Sequence, residues 1–281
     1  MIQSHMIEQK EALGLLDTPD VVFVDGSWYL PAQKRDAKAE YQAHRIPGAV
    51  YFDIDAISDK NTDLPHMLPE PSDFAAAVGA LGISHNTKLI IYDGPGLFSA
   101  ARVWWTFRIM GAKNVRILKG GLDGWRIEGL PLETGDPQQR PQTSFIPDFD
   151  RARVIAIEDV IANTKTGEAV TIDARPLARF QGKAPEPRAG MRSGHIPGSH
   201  AIPATDVVEN GQLLDHEALE ERFRQAGIEK DTPVISTCGS GVTAAILILA
   251  LEETGRRNHR LFDGSWAQWG KPDGPEVATD E

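Results

Sequence analysis

Landmarks of the first half of the chain return in the second at a nearly constant spacing, and this internal repeat limits the fold more than any other feature. Gly194-His-Ile-Pro-Gly198 follows Arg45-Ile-Pro-Gly48 by about 150 residues, and Cys238 follows Asp93 by about 145. Val170-Thr-Ile172 with Asp173 answers Val21-Val-Phe-Val24 with Asp25. The segment Arg260–Trp269 answers the one that ends Gly120-Gly-Leu-Asp-Gly-Trp125. Strand patterns alternate with helix patterns in each half, which predicts two α/β domains, each a mostly parallel sheet flanked by helices.

Hydrophobic runs and punctuation place the elements. Strands are expected at 21–24, 49–53, 88–92, 115–118, 170–172 and 233–237. Helices are expected at 74–81, capped by Ser72 or Asp73 and stopped by Gly82, at 99–110, at 217–226, and along the apolar run after Thr243. The polar, proline-bearing stretch that begins at Glu133 suits a linker. The division follows as a first domain over 1–135, a linker over 136–150 and a second domain over 151–281. The Ile-Pro-Gly segments read as turns.

Composition narrows the class. The chain has 281 residues, 41% hydrophobic and 25% charged, and its 40 acidic against 29 basic side chains give a formal charge of -11. That balance argues against nonspecific binding to nucleic acid or to an anionic membrane. No apolar run approaches the roughly 18 residues of a membrane span. Met1 to Lys10 has neither the apolar core of a signal peptide nor the Arg/Ser-rich character of a transit peptide. A single cysteine fits a reducing compartment, so a cytoplasmic protein is expected. No His/Cys cluster has metal-ligand spacing, and no cofactor is expected.

That cysteine ends a strand pattern, Pro233-Val-Ile-Ser-Thr-Cys238, and opens Gly-Ser-Gly-Val-Thr243 before an apolar helix. Glycines at 239 and 241 let the backbone curl so that several N–H groups face one spot. Those amides and a helix N-terminus favour an anion there, a thiolate or a persulfide carried on it. A small buried hydrophobe or a phosphate-binding loop are the competing readings. Cys-dependent phosphatases place an arginine six residues after the cysteine, where this chain has Ala244. The first copy has Asp93 at the matching position, so only the second can carry sulfur: one half acts and the other supports.

With these motifs the chain resembles the tandem rhodanese-domain sulfurtransferases, over roughly residues 10 to 272. Cys238-Gly-Ser-Gly-Val-Thr243, Leu97-Phe-Ser-Ala-Ala-Arg-Val-Trp-Trp105 and His66-Met-Leu-Pro69 are similar to the 3-mercaptopyruvate branch of that family. Thiosulfate-specific relatives carry basic residues where this chain has Gly239 and Ser240. The resemblance implies that Arg179 and Arg188 bind a 2-keto acid through charge-assisted bonds. It implies a relay of Ser240, His66 and Asp55 beside the sulfur, with amides of Gly239, Gly241, Val242 and Thr243 around it. The implied reaction moves sulfur from 3-mercaptopyruvate through a Cys238 persulfide to cyanide, a small thiol or a thioredoxin-like protein. A thiosulfate:cyanide sulfurtransferase and a noncatalytic sulfur-carrier or partner-binding module are the alternatives. Arg192 reads as surface, and His5, His85, His200, His216 and His259 as surface or local structure.

Overall fold

The computed structural model describes residues 4–280. Met1 to Gln3, part of the stretch read for leader character, and Glu281 lie outside them. The first half holds strands β1 (Met6–Ile7), β2 (Val21–Asp25), β3 (Val50–Tyr51), β4 (Lys88–Tyr92) and β5 (Val115–Leu118). Its helices are α1 (Gln9–Leu13), α2 (Ala37–Ala43), α3 (Pro71–Ala80), α4 (Ala100–Ile109) and α5 (Gly121–Ile127). The second half has β6 (Val154–Ile155), β7 (Val170–Asp173), β8 (His200–Ala201), an antiparallel hairpin β9 (Val208–Glu209) and β10 (Gln212–Leu213), then β11 (Val234–Thr237) and β12 (His259–Phe262). Its helices are α6 (Ile157–Thr166), α7 (Leu177–Phe180), α8 (His216–Gln225), α9 (Ala244–Glu253) and α10 (Ser265–Trp269).

The two sheets are copies of one topology. Strand order is β1-β5-β4-β2-β3 in the first and β6-β12-β11-β7-β8 in the second, and every neighbouring pair is parallel. Each sheet therefore has helices over it, and its inner strands are largely buried on both faces, as β2 (buried throughout) shows. In the second sheet the chain leaves β11 and β7 in opposite directions across the sheet. The loops after these strands diverge there, opening a crevice at the carboxyl ends.

Helices α4 and α9 pack against each other across the two halves. Every residue from Ala244 to Glu252 is buried, as are Ala100 to Phe107. A helix apolar on all sides must be covered on all sides, and here each helix has its own sheet beneath and its twin above. One hydrophobic cluster consequently runs through both, from Trp104 and Phe107 to Leu249 and Leu251. Among the described residues no helix is long and apolar enough to cross a membrane.

Several expectations shift. The strand expected over 49–53 keeps only Val50 and Tyr51, because β3 pairs with β2 only at Val24 and Asp25. Helix α3 starts at Pro71, which presets the helical φ at the first position, so neither Ser72 nor Asp73 caps it. The stretch 136–150 has no helix or strand, yet it lies strapped to the first half. Thr143 N donates to Gly79 O at 3.0 Å, Asp148 N to Met110 O at 3.0 Å, and Phe145 is buried. Arg192 is not a surface residue: its Nη2 donates to the carbonyls of Trp269 at 2.8 Å and Pro275 at 2.7 Å. His259 is buried beside Glu252, at 3.3 Å, and His5 reaches the same carboxylate at 2.9 Å.

Candidate active site

Cys238 follows the last residue of β11 and is buried. The loop it opens is anchored from behind. Trp266 N donates to Cys238 O and Ala267 N to Gly239 O, both at 2.9 Å, so these carbonyls are turned toward α10. Ser265 Oγ accepts from Cys238 N at 3.3 Å and donates to Phe262 O at 2.8 Å. With the carbonyls tied down, the amides face the other way. Among the described residues, none of the N–H groups from Gly239 to Thr243 has a protein acceptor.

The matching loop of the first half shows what such amides hold. Asp93 is fully buried, and its carboxylate accepts from Gly96 N at 2.7 Å, Phe98 N at 2.8 Å, Ser99 N at 2.7 Å and Ala100 N at 2.8 Å. The loop geometry of both halves is thus an anion nest at a helix N-terminus. The tip of the β9–β10 hairpin closes the first nest, with Gly211 O accepting from Gly120 N at 3.0 Å and Gly211 packed on Gly96.

The second nest opens instead into a cavity of about 690 Å³. Cys238, Gly239, Ser240, Val242 and Thr243 line it from the loop, Arg179 and Arg188 from the segment after β7, and Asp55 and His66 from the first half. Gly241, expected on the same side, is not among the lining residues. It has φ +78°, and a Cβ there would come 2.8 Å from Arg102 Nη1, behind the loop. At Gly239 a Cβ would sit 3.3 Å from Arg179 Nη2, so the loop and this guanidinium lie against each other.

Ser240, His66 and Asp55 do meet. Ser240 Oγ lies 2.9 Å from His66 Nδ1, and Asp55 Oδ1 lies 3.0 Å from His66 Nε2. The imidazole runs in the opposite sense to that of serine hydrolase triads, where the carboxylate holds Nδ1. Its hydrogen bond to His66 keeps Asp55 below the usual carboxylate range, against the opposing effect of burial. Trp28 Nε1 donates to Asp55 Oδ2 at 3.0 Å, and the Trp28 ring stands edge-on to His66 at 4.6 Å.

His66 itself has φ +60°, a conformation that costs energy for a residue with a Cβ. Arg102, from α4, holds it there. Its Nη2 donates to His66 O at 2.6 Å and pairs with Asp263 Oδ1 at 2.7 Å, while Nη1 reaches Gly241 O at 3.4 Å. Asp263 Oδ2 in turn accepts from Leu68 N at 2.8 Å. This buried pair clamps the histidine segment of one half to the cysteine loop of the other. Nothing in the sequence pairs residues so far apart, and Arg102, Asp263, Trp28 and Ser265 were not singled out from it. An arginine within the apolar pattern of α4 was the one available signal.

Arg179 and Arg188 face the loop from the segment after β7. Arg179 Nε donates to Glu186 Oε1 at 3.2 Å and Nη2 pairs with Glu186 Oε2. Among the described residues Arg188 makes no hydrogen bond or ion pair. Burial lowers its pKa from the ordinary arginine value, while the Cys238 side chain pulls the other way.

The comparisons agree with this geometry. The model of the rhodanese-like domain matches residues 8–128 and again 156–272. A 3-mercaptopyruvate sulfurtransferase of Escherichia coli is 43% identical over 256 residues, covering 91% of this chain and 91% of its own. The thiosulfate/3-mercaptopyruvate sulfurtransferase 1 of Arabidopsis thaliana, a mitochondrial protein, is 42% identical over 282 residues, 92% of this chain and 74% of its own. The crystal structure of SseA from Escherichia coli, a 3-mercaptopyruvate sulfotransferase of the rhodanese fold, superposes with a TM-score of 0.87 at 40% identity, covering 94% of this chain and 99% of that one. Two matched domains, one open anion nest and one closed by its own aspartate lead to one conclusion: the chain belongs to the rhodanese family, in its tandem-domain form.

Proposed function

We propose that the chain transfers the sulfur of 3-mercaptopyruvate to a small nucleophilic acceptor through a persulfide on Cys238. The observation that carries this reading is the row of unpartnered amides around a buried lone cysteine, facing a cavity lined by two arginines. Arg188 and the remaining donors of Arg179 take the substrate carboxylate and ketone. The Cys238 thiolate attacks the sulfur, the carbon–sulfur bond breaks, and its electron pair goes to carbon as the pyruvate enolate.

The substrate's thiol proton then has a destination. Ser240, with His66 and Asp55 behind it, passes that proton to the enolate carbon, leaving pyruvate and a deprotonated persulfide. No net proton is taken from solvent. Amides from Gly239 to Thr243 hold the persulfide's charge until an acceptor such as cyanide, a small thiol or a thioredoxin-like protein removes the outer sulfur and restores the thiolate. Residues 1–135 act here as a wall of the site, since they supply His66 and Asp55. A reducing compartment such as the cytoplasm suits a lone reactive thiol.

A thiosulfate donor is the second reading, favoured by the Arabidopsis relative named for both donors. Kinetics with each donor, cyanide as acceptor and thiocyanate as readout separate the two. The proposal expects the higher kcat/KM with 3-mercaptopyruvate; a dominant thiosulfate reaction would overturn the choice of donor.

A further inference from the structure

The donor arginines stand in a partly neutralised array. Arg175, fully buried, donates from Nη2 to Asp173 Oδ2 at 2.7 Å, from Nε to the same oxygen at 2.9 Å, and from Nη1 to Glu186 Oε1 at 2.8 Å. Glu186 then turns its other oxygen to Arg179, so one carboxylate bridges two guanidinium groups. Its side chain is 4% exposed, which leaves it little solvent screening. Two guanidinium groups, Arg175 and Arg179, are therefore balanced by two carboxylates, Asp173 and Glu186. Arg188 has no ion-pair partner among the described residues; Glu186 and Asp55 act on its charge only from a distance, which leaves its guanidinium donors open to the cavity.

We infer that Glu186 sets the charge of the donor that the site accepts: it cancels Arg179, so that the pocket fits a monoanion and disfavours a dianion. A 2-keto acid brings one carboxylate, which Arg188 balances. A thiosulfate-like donor brings a second negative charge to a guanidinium whose charge Glu186 has already met. Arg179 stays useful to the monoanion, because Glu186 fixes its plane beside Gly239 and leaves Nη1 to donate to a neutral ketone oxygen. Glu186 is a positioning residue in this scheme. It touches no substrate and acts through Arg179. The inference rests on the donor assignment above.

The test is Glu186→Gln in the full chain, with kcat/KM measured for 3-mercaptopyruvate and for thiosulfate at low and high salt. The variant should raise the thiosulfate-to-mercaptopyruvate ratio by about tenfold or more at low salt, and the rise should shrink as salt screens the charge. Glu186→Asp, which keeps the charge, should keep the wild-type ratio. A parallel fall with both donors, or an unchanged ratio, would make Glu186 a structural brace and overturn the inference. Failure of the wild type to use mercaptopyruvate at all would instead defeat the donor assignment, so the two failures are distinguishable.

If Glu186→Gln does not fold, the wild type still decides. Methanesulfonate and sulfate share a tetrahedral head and differ by one charge, and each can protect Cys238 from alkylation by iodoacetamide. The inference expects methanesulfonate to protect at least as well as sulfate; clearly better protection by sulfate would contradict it.

Discussion

The Asp93 loop and the Cys238 loop are one backbone device with two fillings. Both end a central parallel strand, both run into a helix buried on every side, and both gather amide N–H groups around one side chain. In the first, the aspartate fills the nest with four backbone hydrogen bonds and the hairpin tip at Gly211 shuts it. In the second, the amides have no protein acceptor among the described residues and the nest faces a cavity. A carboxylate oxygen stands two bonds from Cβ, as does the outer sulfur of a cysteine persulfide. The closed loop therefore displays, with a permanent anion, the contacts that the open loop keeps for a transient one. What separates a scaffold from an active site is the side chain in the nest and whether the nest is covered.

The largest effect should come from emptying the open nest. Cys238→Ser should abolish sulfur transfer while the fold is retained; residual turnover would mean another nucleophile. Cys238→Asp would turn the open loop into a second copy of the closed one. It should be equally inactive, but its Tm should rise, because the carboxylate supplies the acceptor that the amides lack. A fall in Tm would show that the two nests are not equivalent.

Next comes the clamp that joins the two halves. Arg102→Met leaves Asp263 buried without its partner and should cost about 3–5 kcal/mol of stability. It should also slow sulfur transfer about tenfold or more, because His66 loses the contact that holds its backbone. Thermal melts together with steady-state rates check both, and unchanged rates would remove Arg102 from the positioning of His66.

Asp93→Ala should cost about 3 kcal/mol or more through the amides it strands, with donor preference unchanged. Denaturant unfolding measures it. A neutral result would mean that the closed nest is held by packing alone.

The smallest effect distinguishes the strand ends. Asp173 has Arg175 against it, whereas the matching Asp25 has, among the described residues, only Ser27 N and hydroxyl partners, and burial pushes its pKa up to about 7, with Asp93 adding to the rise. A carboxyl raised in the folded state stabilises below its unfolded value of about 3.9, and that contribution is lost as pH climbs through about 7. Asp25→Asn should therefore be the more stable protein at pH 8 and match the wild type near pH 4. Parallel Tm profiles across that range would contradict the assignment.

Much of this was legible in the sequence, for physical reasons. Within central strands, stretches such as Leu89–Tyr92 are continuous apolar runs because parallel sheets are covered on both faces, and the glycines after Cys238 mark a backbone that must curl. Edge strands Met6–Ile7 and Val154–Ile155 are two residues long, too short for any periodicity to show. Ser240, His66 and Asp55 could be named from the family resemblance, but their meeting depends on how α4 packs on α9. The same packing brings Arg102 to Asp263. Glu186 stands two residues before Arg188 in the sequence, which gives it no role; that it bridges Arg175 and Arg179 is a property of the folded loop.

The most direct test of the account is the intact mass of the protein after mixing with 3-mercaptopyruvate, with Cys238→Ser alongside. The wild type should gain about 32 Da, one sulfur held as a persulfide, and the variant nothing. No gain in the wild type, or the same gain in the variant, would contradict it.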